Sequence, residues 1–536
     1  MRTARGLATA LLPAGFLAVF FVYPVTTLLW RGLADDPGRI GDVVTGGRFL
    51  RIIWFTAWQA AVSTLLTLAI AWPLTWVVAN RRFPGRRWVQ VLVTVPFVLP
   101  TVVVGGAFIA IIDRFGLDAG TIRLRHTVWA IVLAHAFFNV AVVVRAVGGF
   151  WSQLDRRPEE AARTLGASSW RAFREVTLPR LGPSVLAALS IVYLFSFTSF
   201  AIILLLGGPR RSTLETEIFR WAVTRTDITT AAALSVVQMV AVATLVLVNG
   251  ALARRQSRGQ QLVADRATTP AGCRDVGLIV AAIAGTGVFL GLPILTLVER
   301  SLAVGDGWGF DHYRSLAERV RLLPISALDA VVNSLSFALA AAGIALVVGG
   351  LASVVIVHGR GFLSRIVDLG MLLPLGTSAV TLGFGVLIAL DRGVLDLRSS
   401  WWIVPITQSL IAIPFVVRSV VPVLRAIDPR MREAAATLGA SPSRVRREID
   451  LPIGGRALAT GVGFAFAISL GEFGATSFVG RRSDLLTVPL AIERLLATPG
   501  QLLRGQAMAL SVILMLVTAA VVFLGDRLHP DGGGVL

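Results

Sequence analysis

Residues 159–170 read EEAARTLGASSW, and residues 432–443 read REAAATLGASPS. Both stretches are small, polar and charged, and they interrupt a chain whose other segments are apolar runs too long for the core of a soluble domain. Adding 273 to each position from Glu160 to Pro179 lands on Glu433 to Pro452, and thirteen of those twenty residues are the same. The offset also places Ser196 on Ser469, Phe200 on Phe473 and Gly207 on Gly480 without a gap. Polar loops are ordinarily free to drift. A loop kept in register while the neighbouring runs share far less marks a duplicated unit in parallel orientation.

Of the 536 residues 55% are hydrophobic, and the mean hydropathy is +0.76, too apolar for a soluble globular chain. Apolar runs fall near 9–30, 53–79, 88–112, 127–150, 183–206, 228–252, 276–298, 328–357, 364–390, 401–424, 455–478 and 504–526. They are commonly about 20 residues or longer, enough to cross a hydrocarbon layer of about 30 Å as helices, and they lack the period-2 alternation of a barrel strand. The predicted fold class is an all-α polytopic membrane protein of about twelve transmembrane helices in two parallel-repeated six-helix halves. The first half runs over 1–252 and the second over 276–536, joined by the polar connector 253–275. The run that opens the chain is longer than the roughly 7–15 residues of a signal-peptide core and no clear cleavage site follows it, so it reads as a span.

Fifty basic residues face thirty-one acidic ones, and every basic residue is an arginine. In a soluble chain this would suggest nucleic acid; in a membrane chain it sets topology, and no nucleic-acid partner is expected. Arg81, Arg82, Arg86 and Arg87, then Arg254, Arg255 and Arg258, then the stretch Arg425 to Arg456 fall on one side, while the opposite loops mix acids with bases. That side is the cytoplasm, and both termini lie there. Without lysine the chain cannot form a phosphate-binding P-loop, so ATP hydrolysis must belong to a partner. Cys273 is the only cysteine, and His126, His135, His312, His358 and His529 are scattered, so neither a cysteine cage nor an HExxH zinc site is available.

The repeated loop has a local logic. Asp428 with Pro429, and Pro158 with Glu159 and Glu160, start a short helix. Gly166 and Gly439 stop it in the left-handed conformation, and Ser168 and Ser441 cap a second helix that Leu178-Pro179 and Leu451-Pro452 end, so that both helices lie along the membrane surface. Such an element either floats in the headgroups or docks on a partner, and two near-identical copies favour docking on a two-fold partner. Arg171, Arg174, Arg444 and Arg447 would meet acids of that partner or phospholipid.

The pattern Glu160-Ala161-Ala162, Gly166, Leu178-Pro179, repeated as Glu433-Ala434-Ala435, Gly439, Leu451-Pro452, resembles the coupling-loop signature of permease subunits of binding-protein-dependent ABC importers. The resemblance covers nearly the whole chain and implies the type I importer permease fold. It further implies coupling loops at 155–182 and 425–456, and contact with two cytoplasmic ATPase subunits through Glu160, Ala161, Ala162, Leu165, Gly166 and Ala167 and through Glu433, Ala434, Ala435, Leu438, Gly439 and Ala440. ATP and magnesium would be bound by those subunits, with no cofactor in this chain. A solute-binding protein outside the bacterial cytoplasmic membrane would deliver the cargo. RRFPGR at 81–86, LAHAFFN at 133–139, Thr213-x-Glu215 and SLGEFG at 469–474 look like fused thiamine permeases, with ferric-iron permeases close behind. One residue departs: the thiamine pattern often has aspartate where Glu472 stands, and glutamate there also occurs in oxyanion-type permeases.

Ionisable groups within a membrane are functional candidates because burying them is costly. Glu472, with its repeat partner Ser199, is therefore a candidate for the translocation pathway; otherwise it would pair with Arg481 or Arg482 at the outer end of its span. His135 and Asn139, four apart on one helix face, suit hydrogen bonding between helices. An ion-coupled secondary transporter would need more buried acids than Glu472, and an enzyme would need a cluster of chemistry-bearing side chains that the sequence does not show.

Overall fold

The computed structural model describes residues 2–118, 123–256, 269–270, 272–359, 361–390, 396–480 and 482–527. Most of the connector 253–275 lies outside them, as do Arg258, Arg481 and His529. In chain order the helices used below are α1 (Ala10–Leu33), α2 (Gly47–Asn80), α3 (Arg86–Val98), α4 (Thr101–Arg114), α5 (Val128–Gln153), α6 (Arg157–Thr164), α7 (Ser169–Phe197), α8 (Ala201–Leu206), α9 (Leu214–Phe219) and α10 (Ile228–Gln256). There follow α11 (Cys273–Leu302), α12 (Ala327–His358), α13 (Phe362–Leu372), α14 (Ala379–Ala389), α15 (Ile403–Ala426), α16 (Pro429–Thr437), α17 (Ser443–Gly471), α18 (Thr476–Val479), α19 (Val488–Ala497) and α20 (Gln501–Arg527).

Among the described residues ten helices are long and apolar enough to cross a membrane, or eleven if the bent pair α3 and α4 is one span. The difference from twelve lies at two runs, 88–112 and 364–390, which are not continuous helices. In the first, α3 and α4 meet at 99° across Leu99-Pro100. Proline lacks an N–H and disfavours helical backbone before it, and Leu99 is extended at φ −65°, ψ 138°. In the second, α13 runs into a 3-10 turn, Leu373–Gly376, and Ser378 restarts the chain by accepting from the Thr381 N–H at 3.4 Å. Runs 183–206 and 455–478 are each a long helix followed by a short one, α7 then α8 and α17 then α18.

The second half-helix of each run is almost wholly apolar and correspondingly enclosed: Val102 to Ala110 of α4 and Val380 to Val386 of α14 are buried without interruption. In both halves they pack on the short helix after the long one, α4 on α8 and α14 on α18. Small residues allow the approach. A Cβ at Gly383 would lie 2.5 Å from the Cα of Ala475, and one at Gly105 would lie 2.6 Å from Leu205.

Two compact units result, and they do not coincide with the sequence halves. One comprises Met1–Val44, Glu217–Met239 and Ser301–Leu536; the other comprises Thr45–Thr216 and Val240–Arg300. The opening helix of each half thus belongs to the unit built mainly from the other half. Leu17 and Phe21 of α1 are buried in one apolar cluster with Ala352 and Val355 of α12 and Leu382 and Val386 of α14. Ile279 and Ala282 of α11 are buried with Val77 of α2. The duplication shows inside each unit as well. The Thr56 hydroxyl of α2 accepts from the Leu214 N–H at 3.1 Å, and the Ser334 hydroxyl of α12 accepts from the Val488 N–H at 2.8 Å, each satisfying a free donor at a helix start.

Candidate functional site

Each repeated loop folds as an elbow of two helical arms. Asp155 opens the first by accepting from the Arg157 N–H at 3.0 Å, and Asp428 opens the second by accepting from the Arg430 N–H at 2.9 Å. Asp155 stands 273 positions before Asp428 and does in α6 what the sequence assigned to Pro158, Glu159 and Glu160; the shared offset was the signal that identifies it. At the far end Gly166 sits at φ +93° and Gly439 at φ +82°. Gly166 donates to the Arg163 carbonyl at 3.0 Å and Ala167 to the Ala162 carbonyl at 3.1 Å. Gly439 donates to Ala436 and Ala440 to Ala435, both at 3.0 Å. These are the two bonds of a Schellman termination, which needs a left-handed residue at the position both glycines hold. Ser168 and Ser441 then accept from the N–H groups of Arg171 and Arg444, at 3.3 and 3.4 Å, and the second arm begins. It does not end at Leu178-Pro179 or Leu451-Pro452 as the sequence suggested: each proline stands in the first turn after a π turn, Phe173–Thr177 or Arg446–Asp450, where proline is tolerated, and the arm runs on as α7 or α17.

No residue of α6 or α16 is buried. Leu165 is 89% exposed and Leu438 88%, the most open large apolar side chains of the described residues. Glu160, Ala161 and Gly166 are exposed and Ala162 and Ala167 half-buried, and Glu433, Ala434, Gly439, Ala435 and Ala440 repeat that pattern residue for residue. The arms of the first elbow bound an open groove of about 570 Å³ lined by Glu160, Arg163, Thr164, Ala167, Ser168 and Ser169. Arg171 is paired with Glu175 at 3.2 Å, Arg444 with Glu448 at 2.8 Å, and Arg174 lies 3.4 Å from Glu175. These are exposed pairs within one helix, worth little to stability.

Each elbow is braced to the spans beneath it, by different chemistry at the same register. In the first, the Thr177 hydroxyl donates to Glu159 at 2.7 Å. Adding 273 converts Glu159 into Arg432 and Thr177 into Asp450, and there Arg432 Nε donates to Asp450 at 2.9 Å. Asp450 also meets His358 Nε2 at 3.0 Å, tying the second elbow to the end of α12. The first elbow reaches the end of α2 through Arg156, which donates to the Asn80 side chain at 2.8 Å. Burial lowers the pKa of Arg156, with Glu159 opposing that shift and Arg81 adding to it.

Glu472 closes α17, is 7% exposed, and turns its carboxylate on the backbone of the next helix. It accepts from the N–H of Ala475 at 2.7 Å, from the N–H of Thr476 at 2.9 Å, and from the Thr476 hydroxyl. Arg482 pairs with Asp484 at 2.6 Å. Ser199 is buried at the equivalent break between α7 and α8, in the other unit. Glu472→Gln keeps one acceptor oxygen and presents an amide to an N–H, so a loss of about 1–3 kcal/mol in stability is expected, measured by thermal unfolding of the solubilised protein. His135 and Asn139 are buried, with His135 Nδ1 3.1 Å from the Ser63 hydroxyl of α2 and Asn139 donating to the His135 carbonyl at 3.0 Å.

Residues 71–259 and 345–531 each match one protein family, described as binding-protein-dependent transport system inner membrane component, and each match contains one elbow. The thiamine transport system permease protein ThiP of Escherichia coli (strain K12) is 27% identical over 533 residues, covering 96% of this chain and 94% of that protein. ThiP of Brucella abortus (strain 2308) is 27% identical over 536 residues with the same coverage. The sulfate transport system permease protein CysT of Escherichia coli (strain K12) is 28% identical over 207 residues, 38% of this chain and 74% of that protein.

Proposed function

The chain belongs to the family of binding-protein-dependent transport system inner membrane components, and on that premise we propose that it is a fused permease carrying thiamine or a phosphorylated thiamine into the cell, driven by two separate ATPase subunits. It is a multi-pass inner-membrane protein and a transport component rather than a catalyst, working with an ATPase and a solute-binding protein. The pair of unburied elbows carries the proposal. A short amphipathic element that keeps an exposed leucine beside a small-residue turn, twice, fits two equal pockets of a dimeric motor. Glu160, Ala161, Ala162, Leu165, Gly166 and Ala167 form one contact and Glu433, Ala434, Ala435, Leu438, Gly439 and Ala440 the other. Closure of the motor would displace both elbows, and with them α7 and α17, alternating access between the two sides. Both termini lie in the cytoplasm on the side of Arg81, Arg82, Arg86 and Arg87. Ser199 and Glu472 are proposed to border the translocation pathway.

Thiamine is favoured by the two thiamine permeases that align along nearly the whole chain. An oxyanion is the second reading, favoured by the partial likeness to a sulfate permease and by glutamate at position 472; ferric iron is the remaining alternative. The test is ATP-dependent uptake of labelled thiamine, thiamine monophosphate, sulfate and ferric iron into proteoliposomes that hold the chain, its ATPases and its binding protein. Uptake of thiamine or its phosphate is expected. Uptake that ignores ATPase inactivation and collapses with an ion gradient would make the protein a secondary transporter.

Burying a leucine side chain contributes about 1.5–3 kcal/mol. Leu165→Ala and Leu438→Ala, each removing most of a side chain that touches little in its own chain, should weaken ATPase binding about tenfold apiece. Thermal stability of the isolated chain should not change, and titration of labelled ATPase onto nanodiscs reads the difference.

A further inference from the structure

Residues 81–92 read RRFPGRRWVQVL, and all of them lie in one compact unit. Gly85, at φ +82°, turns the chain into α3, so that four arginines flank the turn within seven residues. Arg81 is engaged, paired with Asp275 at 3.0 Å and lying over the Trp76 ring. Arg82, Arg86 and Arg87 have no carboxylate at ion-pair distance among the described residues, and Arg86 Nε is out of contact with solvent and lacks an acceptor there. Where the arginines stop, an exposed apolar row begins. Trp88, Val91 and Leu92 are exposed, with Arg87 one turn from Val91 and Trp88 one turn from Leu92. Val93 and Pro96 are buried instead, and α3 packs on α5.

Topology requires only that positive charge gather on this side of the membrane. It does not require three guanidiniums without a counter-charge, which repel one another, nor an apolar row beside them. Both parts fit one kind of molecule. A guanidinium meets a pair of phosphate oxygens through two parallel N–H donors, while an indole settles where headgroups give way to acyl chains. We propose that the start of α3 binds an anionic phospholipid, its phosphate on Arg82, Arg86 and Arg87 and its acyl chains along Trp88, Val91 and Leu92. The corresponding turn of the second half is built differently. There the helix after a left-handed glycine, Gly361 at φ +92°, is α13, which opens on Phe362 and Leu363 and carries Asp368, 3.7 Å from Arg425. The lipid thus holds the first interrupted run and not the second. The proposal rests on the membrane setting alone and holds whatever the cargo.

Lipid quenching tests it. With Cys273, the only cysteine, replaced by serine, Gln90→Cys carries a bimane label on the exposed start of α3. Ile366→Cys carries one at the same distance from Gly361 in α13. The bilayers mix phosphatidylglycerol with phosphatidylcholine, with bromine on one lipid or the other. A basic residue near an anionic surface is worth about fivefold in association, so the Gln90 label should favour quenching by phosphatidylglycerol at least about fivefold over its mole fraction. The Ile366 label should follow the bulk composition. Arg82→Gln, Arg86→Gln and Arg87→Gln together should bring the first ratio down to the second, and lysine at the three positions should keep it. Inorganic phosphate at matched ionic strength should leave it unchanged, since phosphate has no acyl chain to lay along Trp88 and Leu92. Equal ratios at the two labels, or a preference that survives the glutamines or yields to phosphate, overturn the proposal. No preference in the chain alone, with the Gln90 label shielded once ATPase subunits are added, overturns it too and gives the arginines to the motor.

Discussion

Replacing Gly166 and Gly439 together by aspartate should abolish ATP-driven uptake, by at least about a hundredfold, while leaving the chain folded. The left-handed backbone at +93° and +82° costs most side chains about 1–2 kcal/mol. Aspartate is among the residues that tolerate it best, and nothing within 4 Å of a Cβ at either position would clash inside this chain. The elbows should therefore keep their shape. What changes is the outward surface beside Leu165 and Leu438, where a carboxylate now stands at the point a partner must approach. Burying an unpaired charge costs several kcal/mol at each site, so two sites reach the predicted factor with margin. Co-purification of the ATPase subunits and uptake in proteoliposomes read the effect. If the subunits still co-purify in normal amount and uptake is unaffected, the elbows are not the coupling contact. The single variants should fall between, since one intact elbow still holds one subunit.

Hydropathy located the apolar runs because a long apolar segment has few alternatives in a membrane protein. It did not locate the breaks in the runs 88–112 and 364–390, because mean hydropathy does not distinguish a helix from a turn of the same residues. The local chemistry there did carry a signal: Leu99-Pro100 and Pro374 with Gly376 are helix-breaking pairs. The glycine stops and serine caps of the elbows were legible, since they and the 273-residue echo are local features; the continuation of each second arm through Leu178-Pro179 or Leu451-Pro452 was not, because a Leu-Pro pair reads as a stop unless the turn before it is known. The exchange of α1 and α11 between units was not legible, because it depends on which apolar faces meet, and no spacing in one chain encodes a partner helix. Glu472 was singled out for its charge, yet its observed contacts are with the backbone of the turn that follows, which a residue count alone does not reveal.

The braces show how two copies of one element diverge without losing a contact, and they yield the second large effect. Asp450→Thr alone should cost about 2–3 kcal/mol, below the 3–5 kcal/mol of a fully buried pair because Arg432 and His358 both keep some access to water. Arg432→Glu alone should cost at least as much, since it sets a carboxylate against Asp450. Together the two substitutions install in the second elbow the pair that already works in the first, Glu159 with Thr177. The double variant should therefore recover to within about 1 kcal/mol of the starting protein, a coupling energy that independent sites do not show. ATP-driven uptake should follow the same order, lost about tenfold or more in each single variant and largely restored in the double. His358 loses its acid partner in the double variant, so whatever deficit remains measures the tie between the second elbow and α12, which the first elbow makes instead through Arg156 and Asn80. A double variant as unstable as the sum of its parts would mean that the matching positions are coincidental and that each elbow is held by unrelated means.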